Sequence, residues 1–125
     1  MKLAGTRPDW SFLMGPEHLL ADALKRGAHG GVNGSAQIDP ALLVGLYEAS
    51  VKSDWARVET LQKRLLQLGK IYQVGRHASA VVKGMKCALS LLGVCSDRMA
   101  EPFSAFRKPE CDRVRAILKS LALSG

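Results

Sequence analysis

The chain has 125 residues, 47% of them hydrophobic, and carries 18 Lys and Arg against 11 Asp and Glu for a formal net charge of +7. That size and balance fit one globular domain or part of one and exclude a disordered or fibrous polypeptide. The longest apolar window, residues 87–95, is interrupted by Ser90 and Gly93 and falls far short of the ~20 residues of a membrane span, so no membrane partner is expected.

In chain order, the first element is residues 10–15, WSFLMG, a short apolar run closed by glycine that suits a strand covered on both faces. A helix follows. Pro16 supplies the φ wanted at a first helical position, Glu17 favours the positive end of the helix dipole, and Leu19, Leu20, Ala23 and Leu24 form one apolar stripe. Lys25 and Arg26 occupy its last turn, and Gly27 is the left-handed stop.

Residues 28–34, AHGGVNG, are too short and too rich in glycine for another helix and read as strand or loop. Asp39 then caps a new helix with Pro40 at its first position. Residues 40–52 present Leu42, Leu43, Leu46 and Tyr47 on one side. Residues 54–73 present Trp55, Val58, Leu61, Leu65, Leu68 and Tyr72 at spacings of three and four. A helix over 79–93 with Val81, Val82, Met85, Leu89 and Leu92 inward ends at Gly93. A last one opens at Pro109 and runs to Leu121 or Leu123, with Val114, Ile117, Leu118 and Leu121 inward.

Strand, helix, strand, helix with short links is the alternation of a parallel sheet, which puts Gly15 and the glycines of residues 31–34 at the carboxyl ends of consecutive strands, where α/β sheets and barrels build their sites. Two parallel strands cannot cover their own faces and edges. The chain is therefore expected to be the carboxyl-terminal part of a larger α/β domain.

Other chemistries find little support. Cys87, Cys95 and Cys111 are odd in number and lack Cys-x-x-Cys spacing, so no disulfide framework, metal site or cofactor is expected, and a reducing cytoplasm fits. The stretch GAHGGVNG matches neither dinucleotide nor Walker phosphate loops, and Asp39 would repel phosphate at the next helix start. The positive surplus lies wholly in residues 41–125, spread along helices without interleaved aromatics, which reads as a solvated face rather than a nucleic-acid footprint.

The order WSFLMGPEHLLADALKRGAHGGVNGSAQIDPALLVGLYEA, followed by helices that include VVKGMKCALSLLGV, resembles the end of the dihydrodipicolinate synthase and N-acetylneuraminate lyase family. The resemblance implies a partial TIM barrel: residues 1–53 as the last two strand-helix units and 54–125 as a carboxyl-terminal helical extension. It further implies a class I aldolase that joins a lysine to pyruvate or a related 2-oxo acid as an imine, cytoplasmic and homo-oligomeric. That lysine, on the sixth strand, and the tyrosine that helps move the proton fall upstream of the matched segment. The chain alone is thus expected to be inactive, with the remaining barrel segment as its partner. Lys83 and Lys86 match the extension outside the barrel and are poor substitutes for the lysine.

What the resemblance carries over is pocket wall. Gly15 matches a glycine that lets substrate approach the backbone, and Val32 a residue whose carbonyl faces the pyruvate-derived end. Glu17 and His18 match positions that bind substrate hydroxyls in sugar-acid lyases. Gly34 stands where some lyases use serine, and Asn33 lies on the same rim. Pro16-Glu17-His18 departs from the acidic pairs common after this glycine, Gln37 replaces the usual asparagine, and GRHASAVVKG lacks the common Asn-Pro. From residue types alone, Glu17 is equally a first-turn dipole partner, His29 a structural or surface group, and His77 a loop residue without a role. A competing expectation is a non-enzymatic, basic helical protein that binds a protein partner or nucleic acid.

Overall fold

A computed structural model describes residues 7–123; Lys2, counted in the charge balance, and the outermost ends of the two expected segments lie outside them. The described chain is mostly helical, with one small parallel sheet in its first half. Strand β1 is Leu13–Met14 and strand β2 is Gly30–Gly31, with helix α1, Leu20–Lys25, between them. Helices α2 (Pro40–Val51), α3 (Trp55–Gly69), α4 (Ala80–Leu91) and α5 (Lys108–Ser120) follow, with single 3-10 turns at Glu17–Leu19, Gly34–Gln37 and Lys70–Gln73. The chain divides into two compact units at Leu66/Gln67, within α3. Among the described residues no helix is long and apolar enough to cross a membrane.

In the first unit, Leu13 pairs with Gly30 and Met14 with Gly31 in parallel register. The ladder extends through the His29 amide to the Phe12 carbonyl at 2.8 Å and the Val32 amide to the Met14 carbonyl at 3.0 Å. The apolar run is therefore extended over residues 12–14, a shorter stretch than the expected 10–15. Its faces are not closed: Leu13 is 57% and Val32 70% exposed. The helix expected from Pro16 onward is split, because Pro16 itself is extended at ψ 118° and the chain makes a 3-10 turn before α1 begins. Gly27 ends α1 at φ +90°, a region that L side chains rarely enter.

Asp39 caps α2 by accepting from the Leu42 amide at 3.1 Å, a contact that contributes about 1 kcal/mol to such helices. Leu42, Leu43 and Leu46 are buried, whereas Tyr47, expected beside them, is exposed. On α3, Val58 and Leu65 are buried but Trp55 sits at the exposed end of the range.

The second unit corrects the sequence reading of α4. Val81 and Val82 are exposed, and the buried face is Ala80, Gly84, Cys87, Ala88 and Leu89. Close approach explains the inversion: a Cβ on Gly84 would lie 2.6 Å from the carbonyl oxygen of Ile71, so α4 rests on the 3-10 turn Lys70–Gln73 with no side chain between. Small residues win this face because a larger one would lift the helix off its neighbour. Val114, Leu118 and Leu121 are buried on the α5 side as expected, and Gly93 leaves α4 at φ +75°.

Candidate functional site

The two strands are parallel, so the chain leaves both at the same end of the sheet, and the segments that follow them meet there. Gly15 leads into the 3-10 turn Glu17–Leu19, and Asn33 into the turn Gly34–Gln37. Asn33 bridges the two exits. Its Nδ2 donates to the Gly15 carbonyl at 2.6 Å and to the Met14 carbonyl at 3.1 Å, the latter also receiving the Val32 amide.

A second bridge runs the other way. The Glu17 carboxylate accepts from the Ser35 amide at 2.5 Å through Oε1 and from the Ser35 hydroxyl at 2.7 Å through Oε2. Charge-assisted bonds of this kind are about twice as strong as neutral ones. Ser35 has no exposed surface, so its hydroxyl anchors the loop and is no candidate nucleophile. Gln62 of α3 secures the first turn from behind, donating to the Glu17 carbonyl at 2.9 Å and accepting from the Ala21 amide at 3.1 Å.

Glycine has separate reasons at the two strand ends. A Cβ on Gly31 would overlap Asn33 Oδ1 and approach Leu20 Cδ1 to 2.8 Å, so Gly31 is bare to let the Asn33 side chain fold over it. A Cβ on Gly15 would meet nothing within 4 Å. No neighbour among the described residues demands glycine at position 15.

Of the expected site residues, the structure brings Gly15, Glu17, Asn33 and Gly34 to one rim. His18 is exposed in the first turn, and the Val32 side chain points into open space. His29 is structural: its Nδ1 accepts from the Phe12 amide at 3.0 Å and its ring stacks on Phe12 with centroids 6.2 Å apart, extending the ladder beyond the paired residues. Lys86 donates to the Arg98 carbonyl in the second unit. Ser35 and Gln62 were not singled out by sequence. Ser35 is adjacent to Gly34 in a small-residue turn, a composition that signals a turn but not its partner 18 residues away. No group of three or more His, Cys, Asp or Glu among the described residues could hold a metal ion.

The rim offers backbone carbonyls, an amide and an oriented carboxylate around glycine. It can bind and position a polar ligand. Comparison with known proteins matches residues 2–121 to the dihydrodipicolinate synthetase family. A dihydrodipicolinate synthase structure from Bacteroides thetaiotaomicron is 45% identical, with a TM-score of 0.89 over 96% of this chain and 41% of that one. The structure of YagE from Escherichia coli, a member of the dihydrodipicolinic acid synthase family in complex with pyruvate, gives 26% identity and a TM-score of 0.85, covering 96% of this chain and 40% of that one. A probable 2-dehydro-3-deoxy-D-pentonate aldolase from Escherichia coli is 35% identical over 82 residues, 65% of this chain and 27% of that relative. The chain thus spans about two fifths or less of each of these proteins.

Proposed function

We propose, from the premise that this chain belongs to the dihydrodipicolinate synthetase family, that it supplies one part of the pocket wall of a Schiff-base lyase or synthase acting on pyruvate or a related 2-oxo acid. In this reading it is a carboxyl-terminal segment, residues 1–53 forming the last two strand-helix units of an eight-stranded barrel and 54–125 the helical extension. The imine-forming lysine lies in the remaining barrel segment, and the assembled enzyme is a cytoplasmic homo-oligomer.

The observation that carries the reading is the pair of parallel strands with their exits tied together by Asn33 while Leu13 and Val32 stand exposed. Parallel strands are normally covered on both faces by neighbouring elements, and a barrel wall on either side would cover these two side chains. The 2-oxo acid partner fits the pyruvate in the YagE structure.

Each rim residue then has a role. Gly15 leaves the space beside it open to the substrate carbon chain. The Val32 carbonyl faces the pyruvate-derived end, and Asn33 and Gly34 shape the rim. His18, exposed in the turn, meets substrate hydroxyls. Glu17, its carboxylate oriented by the Ser35 amide and hydroxyl, acts with it on the same rim.

Borohydride reduction with isotopically labelled pyruvate tests the assignment. An enzyme lysine and the ketone condense to an imine with loss of water, and hydride delivered to the imine carbon fixes it as a secondary amine. The 125-residue chain alone is expected to take up no label, and label is expected on a lysine of the complementary barrel segment when the two are produced together. A stable adduct on Lys83 or Lys86 of the chain by itself overturns the proposal.

A further inference from the structure

Four basic residues of the second unit, scattered in sequence, converge in space. Arg76 and Lys83, either side of the start of α4, meet Arg107 and Arg113, either side of the start of α5, around a cavity of about 520 Å³. That volume lies within the range of small-molecule sites. Buried Val74 and half-buried Phe106 also line it. Phe106 is seated by a missing side chain: a Cβ on Gly75 would lie 3.1 Å from Phe106 Cε1 and 2.6 Å from the Ala80 Cβ.

The charge inventory is one-sided. Glu110 is the one carboxylate among the lining residues, and its Oε1 lies 3.6 Å from Arg113. Arg76, Lys83 and Arg107 form no salt bridge with any described residue, although the surrounding helix surface is rich in them, as at Lys108–Asp112 and Arg115–Asp112. Four cations gathered around one carboxylate raise the local positive potential, and low-dielectric walls focus it. Guanidinium groups match phosphate oxygens two at a time, which a lone ammonium cannot do.

We propose that this cavity is a binding site for a small phosphate-bearing polyanion, held by Arg76, Lys83, Arg107 and Arg113. A concave site of this volume suits a compact anion, and Phe106 is the one Phe, Tyr or Trp among its lining residues, too few to stack a single strand. The site shares no residue with the strand rim, so it stands whether or not the lyase reading does.

The test is calorimetric titration of the full chain with inorganic pyrophosphate at physiological ionic strength. Saturable one-site binding is expected, weakened about tenfold or more by the double replacement Arg76→Ala with Arg107→Ala. Lys83→Ala alone is expected to weaken it less. A control that removes the same charge elsewhere, Lys52→Ala with Lys119→Ala, is expected to change affinity by no more than about twofold. Arg76 and Arg107 are exposed, and far-UV circular dichroism verifies that each variant retains its helices. Absence of saturable binding by the parent chain, or equal loss in the pocket and control variants, overturns the proposal.

Discussion

Glu17 and Ser35 hold the two strand exits together through both oxygens of one carboxylate, the Ser35 amide at 2.5 Å and its hydroxyl at 2.7 Å. Because Ser35 is fully buried, removing its hydroxyl deprives a half-buried carboxylate of one partner in a place water reaches poorly. Ser35→Ala is expected to lower unfolding free energy by about 1–3 kcal/mol, the range for hydrogen bonds to charged groups. Glu17→Gln keeps an oxygen for the Ser35 amide, and the Ser35 hydroxyl can turn to accept from the new amide, so its effect is expected to be smaller. Urea denaturation of both variants checks the order. A larger loss in Glu17→Gln would show that charge, and not bond count, governs the bridge.

The two strand-end glycines separate a structural from a functional requirement. Gly31→Ala forces Asn33 away from the Met14 and Gly15 carbonyls and is expected to destabilise by about 1–3 kcal/mol, the usual effect of crowding a packed position. Gly15→Ala meets no atom of the described residues within 4 Å and is expected to stay within about 0.5 kcal/mol of the parent. If the proposed lyase reading holds, the same Gly15→Ala change in an assembled enzyme is expected to raise KM for the 2-oxo acid, since that reading gives the space beside Gly15 to substrate. Melts of the isolated variants with steady-state kinetics of the assembled form distinguish the two effects.

How much of this was legible in sequence depended on the range of each interaction. Gly27, Gly93 and Asp39-Pro40 mark their helix ends from within a few residues, because a positive φ and a capping carboxylate are local requirements. The extended character of residues 12–14 was readable from their own apolar run. The split of the first helix was not, because Pro16 can open a helix or stay extended, and the clamp from Gln62 onto the Glu17 carbonyl spans 45 residues. The buried face of α4 was misread because apolar bulk was taken as the marker of burial, whereas contact with the Ile71 carbonyl selects for absence of bulk. Ser35 escaped notice because a small polar residue in a glycine-rich turn looks the same whether its hydroxyl meets water or Glu17.

Gly84 makes that last principle measurable. Alanine is the better helix former by roughly 1 kcal/mol in an exposed helix interior, so propensity alone predicts that Gly84→Ala stabilises α4. The structure predicts the reverse, because the added carbon would sit 2.6 Å from a backbone oxygen that cannot rotate away. A net loss of about 1–3 kcal/mol is expected. Thermal melts of Gly84→Ala beside an exposed-position control on the same helix, Val82→Ala, decide between propensity and packing.

Cys87 couples the second unit to alkaline pH. Its thiol donates to Cys111 Sγ at 3.0 Å, and burial, reinforced by that hydrogen bond and by the neighbouring sulfur, pushes it up from 9.0 to about 12. The folded state therefore holds this proton more tightly than the unfolded chain. The stabilising contribution is complete below pH 9, where both states keep the proton, and is lost progressively as pH rises from 9 towards about 12, because only the unfolded chain ionises there. Midpoints of urea unfolding are expected to fall across that window. Cys87→Ala is expected to start lower, having lost buried volume, but to fall less steeply. Thiol reactivity gives an independent reading: at mildly alkaline pH exposed Cys95 is expected to alkylate rapidly and buried Cys87 only as fast as the fold opens. Equal alkylation rates at the two positions, or parallel pH slopes for the parent and Cys87→Ala, would show that this thiol is not held protonated by the packing of α4 against α5.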